Sequence, residues 1–293
     1  MSKIILIIGP TATGKTALSI ALAKKLNAEI INADSTQIYK EANIATAKIT
    51  EEEKEGIKHH LIDIKNLGEE YTIYDFQKDG RKIIDDLLSK NINIVIVGGS
   101  ALYVKALLYD YKLDKEEKDD IDLSNYTNQE LKDMADKIDI NNNIHINNRH
   151  RLERYIKYYK KTGKTITKTD SINNKIYDFE VIGLNAPRDE IYNRCDKRVD
   201  EMFDSGLLEE AKSIYNKHYK NYTSIIGYRE LDKYFKGEIS LDEAKELMKK
   251  NTRHFAKRQI TFYNHQFNDI KWFNTNYKDF NKTIDEVFKY LDI

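Results

Sequence analysis

The chain has 293 residues, 40% of them hydrophobic, which suits one large or two modest domains with a sizeable core. Lys and Arg number 48, as do Asp and Glu, so the zero net charge excludes a uniformly basic nucleic-acid coat while allowing a local basic face. The one cysteine, Cys195, excludes an internal disulfide framework and a cysteine-rich zinc site.

"KIILII", residues 3–8, is a short continuously apolar run, the pattern of a parallel strand buried on both faces. "GPTATGKT" follows, comprising Gly9, Pro10, Thr11, Ala12, Thr13, Gly14, Lys15 and Thr16. Its spacing is that of a phosphate-binding loop. The glycines let backbone N–H groups turn toward phosphate oxygens, Lys15 adds a point charge, and the Thr16 hydroxyl can ligate Mg²⁺. "TALSIALAKKL" then has helical spacing, and "AEIINADS" reads as a second strand ending in Asp34. "HLIDI" is a candidate third strand. "TIYD" at 72–75 has the form of a capping box and opens a helix predicted to run to about Ser89. "INIVIVGGS" is another buried strand, leading into the helix "ALYVKALLY". Such βαβ alternation predicts a parallel sheet with helices on both faces.

The alternation stops after Tyr111. The charged stretch "DKEEKDDID" reads as a linker, and residues from about Asn125 to Lys168 read as polar and helical. "YDFEVIGL" at 177–184 is strand-like, Pro187 opens a helix that Gly206 closes, and "SLDE" at 240–243 is a second capping box. The expected fold is α/β: a P-loop parallel sheet plus a small all-helical insertion domain. Its expected bounds are 1–111 for the first part of the core, 112–178 for the insertion and 179–293 for a mostly helical second part.

Two helices carry a basic face. In "RHRLERYIKYYKK" Leu152, Tyr155, Ile156 and Tyr159 fall on one side, with Arg151, Arg154, Lys157 and Lys161 on the other. In the helix after Ser240, Ala244, Leu247, Met248, Phe255 and Phe262 form the apolar stripe, and Lys249, Lys250, Arg253 and Lys257 lie opposite. Two such faces in a chain of zero net charge point to an anionic polymer as partner. The adjacent His59 and His60 would point to opposite faces of a strand, which argues for structural roles over a metal pair. Cys195 reads as a packing residue.

The phosphate-binding loop announces a polyphosphate without saying what becomes of it. What narrows the choice is a series of segments: "GPTATGKT", "INADSTQIY", "ANIATAKI", "GIKHHLIDI", "YTIYDFQKD", "IVGGSALYVKALL", "RVDEMFDSGLLEE", "IGYRE" and "NTRHFAKRQITFY". In this order, from Lys3 to about Trp272, they resemble the tRNA dimethylallyltransferases, and the absence of a cysteine and histidine finger favours the bacterial type. The resemblance implies transfer of a dimethylallyl group from dimethylallyl diphosphate to the exocyclic N6 amine of the adenosine just 3′ of the anticodon, in tRNAs that read codons beginning with U. Diphosphate leaves and no phosphoryl group moves.

The resemblance also implies site residues. Thr11 to Thr16 match the diphosphate loop and Arg198 an arginine that grips the diphosphate. Asp34 matches the general base, and Asp34, Ser35, Thr36 and Gln37 match the segment that meets the target nucleotide. Ser100 stands where relatives usually carry Thr. His150, Arg151, Leu152, Glu153 and Arg154 match a tRNA-contacting segment that often starts with Gln. Mg²⁺ is the implied cofactor, with the tRNA anticodon stem-loop and dimethylallyl diphosphate as partners. No apolar run approaches the roughly 20 residues that a bilayer span needs. The N-terminus has no secretory pattern. A cytoplasmic monomer with no membrane partner is therefore expected. The rival readings are an isopentenyltransferase acting on free adenine nucleotides, a P-loop small-molecule or nucleoside kinase, and a non-catalytic RNA-binding P-loop protein.

Overall fold

The computed structural model describes residues 2–111, 113, 121–165 and 174–293. It divides into two compact units, Met1–Tyr111 with Asn174–Ile293, and Lys112–Asn173. The acidic residues 114–120 and the expected helical residues beyond 165 lie outside the described set.

The larger unit is built on six parallel strands: β1 (Ile4–Ile8), β2 (Ala28–Asn32), β3 (His59–His60), β4 (Asn93–Val97), β5 (Glu180–Asn185) and β6 (Ile270–Asn274), in the spatial order β3-β2-β4-β1-β5-β6. The central strands are unbroken apolar runs because both sheet faces are covered. Ile4, Leu6, Ile8, Ile31, Ile94 and Ile96 enter one core, while Ile5, Ile7, Ile30, Val95, Ile182 and Leu184 enter the other. On the second face lie α1 (Lys15–Leu26) and α10 (Phe280–Leu291), which bring Leu18, Leu22, Val287 and Leu291. On the first face α2 (Ile73–Ser89), α3 (Ala101–Leu108), α7 (Leu207–Asn216), α8 (Tyr228–Phe235) and α9 (Leu241–Gln266) contribute Phe76, Val104, Ile214, Tyr228 and Tyr263.

Both sequence capping boxes form. The Thr72 hydroxyl accepts from Asp75 N–H at the start of α2, and Ser240 accepts from Glu243 N–H at the start of α9. The third strand is shorter than "HLIDI" suggested. Leu61 and Asp63 take φ values of 58° and 56°, which turn the backbone out of the extended conformation just after His60. Gly206 closes α6 (Arg188–Asp204) as the sequence suggests, with φ of 97° just after the C-cap Ser205 and its N–H donating to Phe203 O at 3.1 Å, and it serves at the same time as the N-cap of α7. The edge strand β6 and the helix α10 are additions that the sequence pattern did not announce.

The return from the insertion comes earlier than residue 178. Asp110 N–H donates to Asn174 O at 2.9 Å, Ile176 N–H donates to Leu108 O at 3.0 Å, and Tyr109 bridges Lys175. Residues 174–178 are thereby held by the end of α3 and belong to the larger unit.

In the smaller unit α4 (Asn128–Ile138) and α5 (Arg149–Thr162) enclose a core of Leu123, Leu131, Ala135, Ile144, Leu152, Tyr155 and Ile156. Arg149 ties the segment before α4 to the start of α5 by donating to Tyr126 O at 2.7 Å and Leu123 O at 2.8 Å.

Candidate active site

In an open parallel sheet, the loops after the carboxyl ends of the strands collect on one edge, where such folds bind ligands. Three of these loops meet here, following β1, β2 and β4.

The loop after β1 is shaped by left-handed backbone. Gly9, Ala12 and Gly14 have φ of 147°, 67° and 86°. A methyl on Gly9 would sit 2.4 Å from Leu184 O, and one on Gly14 would sit 2.4 Å from the Phe280 ring, so neither position tolerates a side chain. Gly14 is the N-cap of α1 and offers no side chain to its orphan N–H groups, and the first turn carries no acid. Those groups and the positive end of the helix stay available to an anion. Inside the loop, the Thr13 hydroxyl donates to Pro10 O at 2.8 Å and Lys15 Nζ donates to the same carbonyl at 2.7 Å. The Thr275 hydroxyl braces Thr13 O from outside at 3.1 Å.

Arg198, on α6, donates to the Thr11 hydroxyl at 3.1 Å. Burial and the Arg198 charge push the Lys15 pKa down to about 7, against a smaller opposing effect of Asp34. Burial also lowers the pKa of Arg198. Two cations are thus held together where their mutual repulsion makes an anion welcome.

Asp34 follows β2. Its Oδ1 accepts from Thr36 N–H at 2.9 Å and from the Thr36 hydroxyl at 2.7 Å. Its Oδ2 lies over Gly99, where an added methyl would stand 3.1 Å away, and accepts no hydrogen bond among the described residues. One oxygen is therefore fixed and the other is free to act. Ser35 N–H donates to the Ser100 hydroxyl at 2.9 Å, which in turn donates to Ser35 Oγ at 2.9 Å, so the loops after β2 and β4 are stitched together. Gly98 permits this approach, since a methyl there would stand 2.2 Å from Ala33 O.

A cavity of about 630 Å³ opens between these loops, lined by Thr11 to Thr16, Asp34, Gln37, Gly98, Gly99, Arg198 and Gln259, among others. The structure thus gathers the loop residues Thr11, Ala12, Thr13, Gly14, Lys15 and Thr16 with Asp34, Gln37 and Arg198. Gly9 and Pro10 shape the loop from beneath, and Ser35, Thr36 and Ser100 support Asp34 from behind.

Gln259 has no role that the sequence alone assigns. It is buried at 4% exposure, its Oε1 accepts Thr11 N–H at 2.8 Å, and its Nε2 donates to Gly99 O at 2.8 Å. One amide thereby fixes the phosphate loop relative to the loop facing Asp34. A glutamine in the buried line Ala256, Gln259, Tyr263 of α9 was the available signal.

The His150–Arg154 segment lies on α5 of the smaller unit. Arg151 and Arg154 are exposed, and Glu153 pairs with Arg149 at 2.6 Å. Leu152 is a correction: it is 0% exposed in that unit's core, so its side chain does not reach a partner. The basic face of α9 is corrected in part: Lys250 and Lys257 are exposed as expected, whereas Lys249 and Arg253 are paired. Arg253 NH1 binds both oxygens of Asp196 at 2.5 and 2.6 Å, and Lys249 pairs with Asp200 at 3.0 Å, because α6 packs its acids against that face. Cys195 is buried beside Ile191 and Ala256, and burial pushes its thiol up to about 11, as suits packing. His60 bonds Glu29 at 2.5 Å and His59 bonds Ile57 O at 2.9 Å, both structural partners.

Among the described residues no three His, Cys, Asp or Glu side chains converge on a metal position, and no helix is long and apolar enough to cross a membrane. The Thr16 side chain is exposed on the cavity wall. Mg²⁺ needs few protein ligands when phosphate oxygens and water complete its shell, so this donor set fits it.

Residues 37–266 match the protein-family model described as IPP transferase. The chain is 42% identical over 285 residues to the tRNA dimethylallyltransferase of Enterococcus faecalis, covering 94% of this chain and 92% of that protein. It is 40% identical over 300 residues to that of Anoxybacillus flavithermus, covering 99% and 96%. The crystal structure of the full-length tRNA isopentenylpyrophosphate transferase of Bacillus halodurans superposes with a TM-score of 0.77 at 36% identity, over 100% of this chain and 96% of that one. A eukaryotic dimethylallyltransferase acting on tRNA superposes with a TM-score of 0.83 at 27% identity, over 98% and 77%. A six-stranded parallel sheet, a phosphate loop facing a free carboxylate, and relatives matching over nearly their whole length agree: the chain belongs to the tRNA dimethylallyltransferase family and is an enzyme of bacterial type.

Proposed function

We propose that the chain transfers the dimethylallyl group of dimethylallyl diphosphate to N6 of the adenosine 3′-adjacent to the anticodon in tRNAs reading U-starting codons. The observation that carries this reading is the free Oδ2 of Asp34, which shares one cavity with Lys15, Arg198 and the phosphate loop.

An adenine amine is a weak nucleophile because its lone pair is delocalised into the ring. As the amine attacks the first allyl carbon, the C–N bond forms, the C–O bond breaks, and the bonding pair leaves with the diphosphate. The amine proton passes to Asp34, a transfer worth roughly 10²–10⁴-fold. Thr36 holds the other carboxylate oxygen and keeps Oδ2 aimed. Charge grows on the departing diphosphate, where Lys15, Arg198 and the loop N–H groups stabilise the transition state more than the ground state. The Thr16 hydroxyl would hold Mg²⁺ together with substrate oxygens, adding positive charge to the leaving group.

The target nucleotide must leave the anticodon stack to reach a cavity between loops. The exposed Arg151 and Arg154 of α5 give the smaller unit a basic face suited to the backbone of an anticodon stem-loop. The protein works as a monomer in the cytoplasm, with no membrane partner.

Single-turnover transfer at saturating substrates tests the assignment. Asp34→Asn keeps size and one acceptor but loses the proton sink. The step is expected to slow by about 10²-fold or more with both substrates still bound. A rate within a factor of a few of the parent enzyme would make Asp34 a capping residue.

A further inference from the structure

Glu210, on α7, receives an unusual set of donors. Its Oε2 accepts Asn43 N–H at 3.1 Å and Ile44 N–H at 2.9 Å, and its Oε1 accepts the N–H groups of Ile44 and Ala45 at 3.1 Å each. Three successive backbone amides aimed at one anion form a nest. The Tyr228 hydroxyl adds a fourth donor at 2.7 Å. Burial and the Glu210 charge raise the pKa of that phenol, so it stays protonated and donating.

The chain after this nest is a tight loop. Lys48 N–H returns to Asn43 O at 3.0 Å, Ala47 N–H to Ile44 O at 3.0 Å, and the Thr46 hydroxyl donates to Ala42 O at 2.7 Å. Ala47 takes φ of 47°. Lys48 pins the far side through Tyr39 O at 2.6 Å, Asn43 Oδ1 at 2.9 Å and Asp63 at 2.6 Å. The framed loop presents two carbonyls inward, and Gln37 Nε2 donates to both: Thr46 O at 3.1 Å and Ala47 O at 3.4 Å. Gln37, Thr46 and Ala47 all line the cavity that contains Asp34.

A free glutamine amide can flip and offer either a donor or an acceptor. This one cannot flip without turning its carbonyl oxygen against two others. We propose that Glu210 is a positioning residue: by fixing residues 43–47 it holds Gln37 Nε2 on the loop and leaves Oε1 as an acceptor in the cavity shared with Asp34, so the pocket selects a purine with a 6-amino group over a 6-oxo purine. The inference rests on the proposed transfer to adenosine. A 6-amino group can donate one hydrogen to Asp34 and the other to Gln37. A 6-oxo group meets two acceptors.

The test compares binding of two anticodon stem-loop RNAs, one with adenosine and one with inosine at the target position, to the parent protein, Glu210→Gln and Gln37→Ala. Transfer to the adenosine RNA, inorganic diphosphate affinity and melting temperature are followed in parallel. Glu210→Gln sets an amide N–H against the nest and loosens residues 43–47. The adenosine-to-inosine affinity ratio is expected to fall about fivefold to tenfold in both variants, the scale of one hydrogen bond, while diphosphate affinity holds. An unchanged ratio in Glu210→Gln overturns the inference, whatever Gln37→Ala does. Should Glu210→Gln prove unfolded, Tyr228→Phe removes one donor to the carboxylate and is expected to lower the ratio about twofold to threefold, on the scale of a partial loss of that bond; no change there overturns the inference equally. If the parent protein fails to modify the adenosine RNA, the proposed function falls and the inference with it, which is distinguishable from loss of discrimination alone.

Discussion

Lys15 links the site to pH. Burial and Arg198 hold its pKa down at about 7, and a diphosphate bound beside it favours the ammonium and raises that value. Above pH 7 the free protein has lost the proton that the complex retains. Affinity for inorganic diphosphate should therefore fall as pH rises from about 7, by up to about tenfold per pH unit, and this group's contribution to the pH dependence should vanish below that range. Calorimetry in two buffers of different ionisation enthalpy should show proton uptake on binding at pH 8, and equal heats would contradict it. Lys15→Ala should lower kcat/KM by about 10²-fold or more, the scale of losing one donor to a developing charge, with tRNA binding little changed. At this scale the sequence marked residues that line the cavity and hid those that hold its loops in place. The glycine spacing pointed to Lys15, and the resemblance of the segment after the second strand pointed to Asp34. Gln259 and Glu210 act through partners 248 and 165–167 residues away along the chain, a separation that local patterning does not encode.

Among the elements, α5 and α9 look alike in sequence. Both alternate an apolar stripe with a run of cations. Periodicity finds the stripe but not what packs on the other face, and only the fold reveals that α6 sets Asp196 and Asp200 against α9. Two experiments separate the helices. Replacing Arg151 and Arg154 with Gln should weaken tRNA binding and flatten its dependence on log salt by roughly 0.7–0.9 for each phosphate no longer neutralised. Replacing Arg253 with Gln should leave that slope unchanged and cost about 0.2–1 kcal/mol of stability, as expected for a partly exposed pair. Identical salt slopes for the two sets would restore α9 as an RNA-facing surface. The capping boxes at Thr72 and Ser240 are local and were legible, and a third, Thr127 with Glu130 at the start of α4, has the same local form. Thr72→Ala should destabilise the protein by about 1 kcal/mol, read as a lowered melting temperature.

For the whole molecule, the central sheet was legible because strands covered on both faces are written as continuous apolar runs. β6 was not, since Ile270–Asn274 is a five-residue edge strand of mixed burial, too short to show the continuous apolar run of the central strands. The arrest of β3 after two residues depends on left-handed backbone at Leu61 and Asp63, which no side-chain pattern announces. What the fold achieves is to bring a phosphate loop and a carboxylate from neighbouring strand ends to one cavity, a geometry equally open to a kinase. The products decide. The purified protein is incubated with Mg²⁺, dimethylallyl diphosphate and unmodified tRNA, and in parallel with AMP, followed by mass analysis of the nucleosides. The expected result is dimethylallyl adenosine from the nucleotide 3′ of the anticodon, with release of diphosphate and no product from AMP. Modified AMP with unmodified tRNA, or no transfer to either, would contradict the proposed function.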